Sequence, residues 1–335
     1  MKISFFESTQ EEEKKIGGAF KKYDVNFIHE PLSMKNVSLA KDSEIIGIFI
    51  YSKIDKKILD ELPNLKMIAT QSTGYDHIDL KECKKRHIFV SNVPTYGENT
   101  VAEHAFALIL DLSRNIHKAF LKTQRDDLTL NGLEGFDLKG KTIGVIGVGN
   151  IGTHVIRIAN GFEMKILAYD KHKNRNLKKK INFTYTSLNN LLKKSDIITL
   201  HLPLNPKTKH IINKKTLRIM KPNCIIINTS RGDLIKTKDL LGALDSGKIL
   251  GAGLDVLEGE KVIKEEKELL HNTGKEHTEK LKKIIDSYMI LHNEKVIFTP
   301  HIAFYSHEAL MRIFCTTVEN IKNFIRGKPQ NLVRK

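Results

Sequence analysis

Gly144–Gly152 reads GVIGVGNIG, an apolar run ending in three glycines, Gly147, Gly149 and Gly152, with the spacing G-x-G-x-x-G. Alone that spacing says little. Here it closes a strand-like run, TIGVIGVG, and opens a helical one, the context in which such a loop cradles a pyrophosphate. Gly147 allows the tight turn, Gly149 lets phosphate approach the backbone, and Gly152 lets helix and strand pack closely. The amides and positive potential of the helix N-terminus then face the phosphates. Asp170 ends the next apolar run, KILAYD, 18 residues after Gly152. A carboxylate there accepts hydrogen bonds from the adenine ribose hydroxyls and repels a 2′-phosphate, which favours NAD over NADP.

Working outward from the loop, the runs TIGVIGVG, KILAYD, DIITLHLP, CIIINTS and GAGLDV alternate with helical stretches. Five strands with helical crossovers predict a parallel, doubly wound sheet. Upstream, KISFF, EIIGIFIYS, LKMIATQS and IFVSNV belong to a second β/α unit over 1–99, of roughly flavodoxin size. Glu98 to Phe120 reads as one long helix with several apolar faces, wedged between domains. Residues 261–295 are charged and helical and predict a surface insertion. Ile297–Pro300 returns to the core, Tyr305 to about Gly327 forms a final amphipathic helix, and the tail NLVRK either pairs or frays.

The bulk numbers agree with a two-domain globular protein: 335 residues, 40% hydrophobic and 28% charged. No apolar run approaches the roughly 20 residues of a membrane span. The N-terminus MKISFFESTQEEEKK lacks a signal-peptide pattern. Cys83, Cys224 and Cys315 are too few and scattered for a disulfide framework or a metal site. The expectation is a cytoplasmic protein. The net charge of +16 comes from lysines spread along the chain. Without a basic stripe interleaved with aromatics, a helix-turn-helix or a zinc finger, they read as solvated surface rather than a nucleic-acid interface.

Three further residues sit at strand ends. Arg231 follows CIIINTS, Glu260 follows GAGLDV, and His301 follows VIFTP. The carboxyl edge of an open parallel sheet is where ligands bind. There an arginine fork suits a carboxylate. A histidine can give a proton to a carbonyl oxygen that receives hydride from a reduced nicotinamide. A neighbouring carboxylate would orient the ring and favour its protonated form. Singly each residue has a bland reading as an ion pair, a loop residue or a solvated side chain; behind a dinucleotide loop they point together to hydride transfer.

GVIGVGNIG with Asp170, INTSRGDLI, GLDVLEGE and TPHIAFYS, with STGYDHID and SNVPTYGENTVAEHA, resemble the signature segments of the D-isomer-specific 2-hydroxyacid dehydrogenases, in order and over nearly the whole chain. The resemblance implies that Arg231 binds the substrate carboxylate and that Glu260 pairs with His301, the acid/base. It also implies that the Thr73 and Gly74 amides help hold the carboxylate and that Tyr96 and Phe304 line the substrate pocket. On the cofactor side it implies Asn150 and Ile151 after the glycine turn. His201, Leu202 and Pro203 fall beside the adenine and its ribose, with Thr229, Ser230 and Asp255 nearer the nicotinamide. It predicts a discontinuous substrate domain, 1–99 plus 301–335, an NAD domain over 100–300, an active site in the cleft between them, and a homodimer. Within the family, His301-Ile-Ala-Phe-Tyr is similar to the D-lactate dehydrogenase branch, with pyruvate as substrate. A glyoxylate, hydroxypyruvate or bulkier 2-keto acid reductase is the alternative, followed by a non-catalytic NAD(H)-sensing regulator. PTYGENT departs from the branch's P-x-Y-S-P, and the 261–295 segment is long for the family.

Overall fold

The computed structural model describes residues 1–259 and 285–333. It divides into two compact units, Met1–Tyr96 with Ser306–Lys335, and Gly97–Tyr305. The boundaries fall a few residues from those the sequence predicts, which moves His301 and Phe304 into the second unit. The reason is a buried carboxylate of that unit, Asp255, which holds the backbone of this segment.

The first unit contains β1 (Lys2–Phe6), α1 (Gln10–Ala19), β2 (Asp24–Ile28), β3 (Ile45–Ile48), α2 (Lys56–Asp60), β4 (Met67–Thr70), α3 (Leu80–Lys85) and β5 (Phe89–Ser91). All strands are parallel, in the order β2-β1-β3-β4-β5. Successive strand residues point to opposite faces, and here both faces are buried. Phe5, Ile45 and Met67 join one apolar cluster, while their neighbours Phe6, Ile46 and Ile68 join another. The first cluster is closed by the C-terminal helix His307–Ile325 through Val318 and Ile321. The tail pairs: Leu332 bridges Ser91 in antiparallel sense, and Val333 donates its N–H to Val90 O at 2.9 Å.

The second unit opens with α4 (Glu98–Arg114) and α5 (Ile116–Thr123), not one helix. Asn115 between them has φ 51°, a left-handed conformation that asparagine tolerates and that ends helices. Asp111 then restarts the chain, accepting the His117 N–H at 2.7 Å. The sheet comprises β6 (Thr142–Ile146), β7 (Lys165–Tyr169), β8 (Thr184–Tyr185), β9 (Ile197–Leu200), β10 (Cys224–Asn228), β11 (Ile249–Leu254) and β12 (Val296–Phe298). Between them lie α6 (Asn150–Gly161), α7 (Arg175–Lys180), α8 (Leu188–Lys194), α9 (Lys214–Ile219) and α10 (Thr237–Asp245). Seven parallel strands run in the order β12-β11-β10-β9-β6-β7-β8, two more than the five read from the sequence. The order reverses between β6 and β9, the crevice where doubly wound sheets bind dinucleotides. The triple isoleucine of β10 splits as a doubly covered strand should: Ile225 and Ile227 face one cluster, Ile226 the other. Of the predicted insertion, 261–284 lies outside the described residues. Residues 285–291 are helical, and Ile290 is buried in the core, so this end of the segment packs rather than standing on the surface. Among the described residues, no helix is long and apolar enough to cross a membrane.

Candidate active site

β6 delivers the glycine loop. Gly147 has φ 98°, and a Cβ there would lie 2.4 Å from His201 O, so only glycine lets β6 and β9 end side by side. A Cβ on Gly152 would lie 2.0 Å from Gly147 O, whereas one on Gly149 meets nothing within 4 Å. The loop is therefore tight at its ends and open in its middle, at the start of α6. Asn150 donates its side-chain amide to Glu98 at 3.3 Å, and Ile151 packs into the core. Asp170 accepts the Val148 N–H at Oδ2 and the His172 N–H at Oδ1, both at 2.7 Å. These bonds fix the carboxylate at the end of β7, with acceptor capacity remaining on each oxygen.

The residues fit a dinucleotide in a second way. Among the described residues, three buried side-chain polar atoms lack a hydrogen-bond partner, and two of them are His201 Nδ1 and Thr229 Oγ1, at the ends of β9 and β10. Polar groups buried without partners are rare, and polar groups of a bound cofactor would satisfy both. His201 Nε2 meets Thr199 Oγ1 at 2.8 Å, and burial pushes the ring down to about 3, so it is neutral. Leu202 packs against the core, and Pro203 O accepts the Thr208 hydroxyl at 2.7 Å. Ser230 is occupied in tying β10 to β9 through Leu200 O at 2.7 Å.

Arg231 leaves β10 in extended conformation, with Nη1 donating to Ser230 O at 2.8 Å. Its own carbonyl is held by Asn228 Nδ2 at 2.9 Å. Nearby, Glu258 accepts His210 Nε2 at 2.8 Å and the Thr237 N–H at 2.9 Å. Burial pushes Glu258 up, but these bonds together hold it below the usual carboxylate range. Glu260 lies outside the described residues.

His301 follows β12 with φ 59°, and its ring meets Phe304 edge-on at 6.4 Å. Asp255, at the end of β11, is fully buried. Its Oδ1 accepts the Thr299 hydroxyl at 2.5 Å and the Ile302 N–H at 2.9 Å, and Oδ2 accepts the Ala303 N–H at 2.9 Å. Thr299 has spent its one proton, so His104 Nε2, 3.0 Å from Thr299 Oγ1, must be the donor there. Asp255 thus clamps the backbone that carries His301, a role beside the place near the nicotinamide that the resemblance implies for it. Its partners lie 44 to 48 positions away. β10 and β12 flank β11, so the strands leading to Arg231 and His301 run about 10 Å apart.

In the first unit, Thr73 and Gly74 follow β4. Ser72 donates to Gly74 O at 2.6 Å, so Thr70 must donate to Ser72 at 2.8 Å, and His77 Nε2 to Thr70 at 3.3 Å. Thr73 Oγ1 donates to Val93 O at 2.8 Å, and Asn92 Nδ2 to Thr73 O at 2.9 Å. This network fixes the turn from beneath. Tyr96 O accepts Arg312 Nε at 2.6 Å.

The family model of the D-isomer specific 2-hydroxyacid dehydrogenase, NAD binding domain, matches residues 106–303. A D-lactate dehydrogenase of Curvularia clavata is 36% identical over 308 residues, covering 91% of this chain and 85% of that protein. A glyoxylate reductase of Thermococcus litoralis is also 36% identical, covering 100% of this chain and 98% of that protein. The structure of the Aquifex aeolicus D-lactate dehydrogenase with NAD and lactic acid superposes with a TM-score of 0.85 at 35% identity, covering 97% of this chain and 96% of that one. The glycine loop, Asp170 and the two partnerless polar atoms therefore sit in this family's NAD-binding domain, and NAD is the cofactor. The chain belongs to the D-isomer specific 2-hydroxyacid dehydrogenases, NAD-dependent oxidoreductases.

Proposed function

We propose that the chain reduces pyruvate to D-lactate with NADH, and catalyses the reverse. The observation that carries this is the sheet edge: Arg231 and His301 leave β10 and β12 on either side of the Asp255 clamp, in the domain that binds NAD. Arg231 takes the substrate carboxylate in its fork, with the Thr73 and Gly74 amides as further donors and Tyr96 and Phe304 against the side chain. His301 gives its proton to the ketone oxygen as charge develops there, and takes it back in the reverse direction. Glu260 is its carboxylate partner. The bound reduced nicotinamide supplies the hydride.

Pyruvate rests on the D-lactate dehydrogenases among the relatives and on Phe304 behind His301. Glyoxylate is the second reading, because a glyoxylate reductase is equally similar. The test is NADH oxidation with pyruvate, glyoxylate, hydroxypyruvate and 2-ketoisocaproate, the product being assigned with D- and L-specific enzymes. Pyruvate preferred, with D-lactate formed, is the expected result; preference for glyoxylate moves the assignment to the second reading.

The active form is a homodimer on this reading. α5 and the segment after it expose Phe120 at 61%, Leu128 at 80% and Leu130 at 84%, apolar side chains that a partner protomer would cover. Light scattering after gel filtration is expected to give twice the mass of the chain, and F120E with L130E to give the monomer.

A further inference from the structure

Glu7 has no part in the chemistry above. It follows β1 directly, with φ 60°, a conformation that side-chain-bearing residues seldom adopt. Its half-buried carboxylate serves one distant turn, Phe49–Ser52. Oε1 accepts the Phe49 N–H at 3.2 Å, the Ser52 N–H at 2.9 Å and the Ser52 hydroxyl. Oε2 accepts the Tyr51 N–H at 3.0 Å. Burial pushes the carboxyl above its ordinary value, against the pull of these four donors. A carboxylate offers about four lone pairs on two oxygens, whereas an amide of the same shape offers one oxygen and adds two donors. No neutral residue of that size could hold the turn.

The turn continues β3 and leaves the sheet at its carboxyl edge. Beside it, β4 leads into Gln71–Gly74, and Gln71 donates its N–H to Ile48 O at 2.8 Å. The turn held by Glu7 and the turn proposed to hold the substrate carboxylate are therefore neighbours within one sheet. Phe49 and Tyr51 set their rings edge-on, 6.4 Å apart at 83°, with Tyr51 48% exposed.

We propose that Glu7 is a positioning residue for substrate selection: its carboxylate fixes the Phe49–Ser52 turn, and the fixed turn sets which 2-keto acid side chains are accepted. This rests on the 2-keto acid reading above. Glu7 touches no reacting atom. Its loss should raise KM and blur selectivity, and leave saturated turnover and NADH affinity in place.

The test compares the full-length wild type with E7Q, using the same ketoacid panel, NADH titration, and hydrogen exchange of the Phe49, Tyr51 and Ser52 amides. For E7Q, KM for pyruvate should rise about tenfold, the effect of losing one or two charge-assisted bonds. Turnover at saturation should stay within about twofold, and the three amides should exchange at least about tenfold faster. E7D keeps the charge but falls a methylene short; it should lie between the two, and it is judged by the same criteria if E7Q does not fold. Unchanged KM across the panel overturns the inference alone. So does a rise in KM accompanied by equal losses of turnover and NADH affinity, which marks general damage. A wild type that binds NADH and reduces none of the acids overturns the reading, and the inference with it.

Discussion

His301 donates its backbone N–H to Asp255 O at 3.0 Å, and the Asp255 carboxylate takes the next two N–H groups, those of Ile302 and Ala303, at 2.9 Å each. One buried residue thus fixes the left-handed turn that carries His301, the acid/base of the proposed reaction. In D255N the new amide must present a donor to one of these donors. Leaving such a group unsatisfied costs about 1–3 kcal/mol, so a lower melting temperature is expected together with at least a tenfold loss of kcat. Calorimetry and steady-state kinetics on one preparation check this. Wild-type turnover in D255N would show that the clamp does not position His301.

Arg231 and His301 should fail differently. R231K keeps the charge and loses the fork; kcat/KM for pyruvate should fall by about 10²-fold, mostly through KM, as charge-assisted bonds of about 1.5–3 kcal/mol are lost. H301A should lower kcat by about 10²-fold or more while NADH still binds. Fluorescence titration of NADH beside the kinetics separates the two. Near-normal efficiency in either variant would remove that residue from the mechanism.

The glycine loop makes a contrast of two alanines. G149A adds a Cβ that meets nothing, so stability should change by less than about 0.5 kcal/mol. NADH affinity should nevertheless weaken by about tenfold or more, since the methyl occupies the approach of the pyrophosphate. G152A drives a Cβ to 2.0 Å from Gly147 O and should destabilise the fold itself. Equal NADH affinity in G149A and wild type would place the phosphates elsewhere.

His104 supplies a pH signature. Burial outweighs the attraction of Asp255, 3.6 Å away, and holds the ring below its ordinary value of 6.5. The unfolded chain takes up this proton near 6.5 and the folded chain resists it. Stability is therefore fully present above pH 6.5 and falls as the pH drops from there toward the folded value. The slope is at most about 1.4 kcal/mol per pH unit. H104Q can still donate to Thr299 but does not titrate, so its melting temperature should fall less between pH 6.5 and about 5. Parallel curves would refute the assignment.

What was legible in the sequence was local. The glycine loop, Asp170 and the apolar strands announce themselves because a turn, a helix start and a doubly buried strand each impose their residues over a few positions. Thr184–Tyr185 was missed because two residues carry no periodicity. The break at Asn115 had a signal, an asparagine within a helical run, that the apolar pattern on both sides masked. Asp255 illustrates the deeper limit: beside a cofactor or beneath a loop, an aspartate at a strand end reads the same, and only the fold brings Thr299, Ile302 and Ala303 to it. Glu7 is a similar case, with partners 42 to 45 positions away.

The first unit is sewn from both ends of the chain, and this bears on how it is made. Val318 and Ile321 of the C-terminal helix close one of its apolar clusters, and Leu332 pairs with β5. On the ribosome, Met1–Tyr96 must wait while the second unit, about 200 residues, is synthesised. At roughly 5–20 residues per second that is on the order of 10–40 s with an apolar sheet face uncovered. The second unit has no such wait. It can fold first, so the nascent chain would hold a finished NAD domain before the first unit is complete.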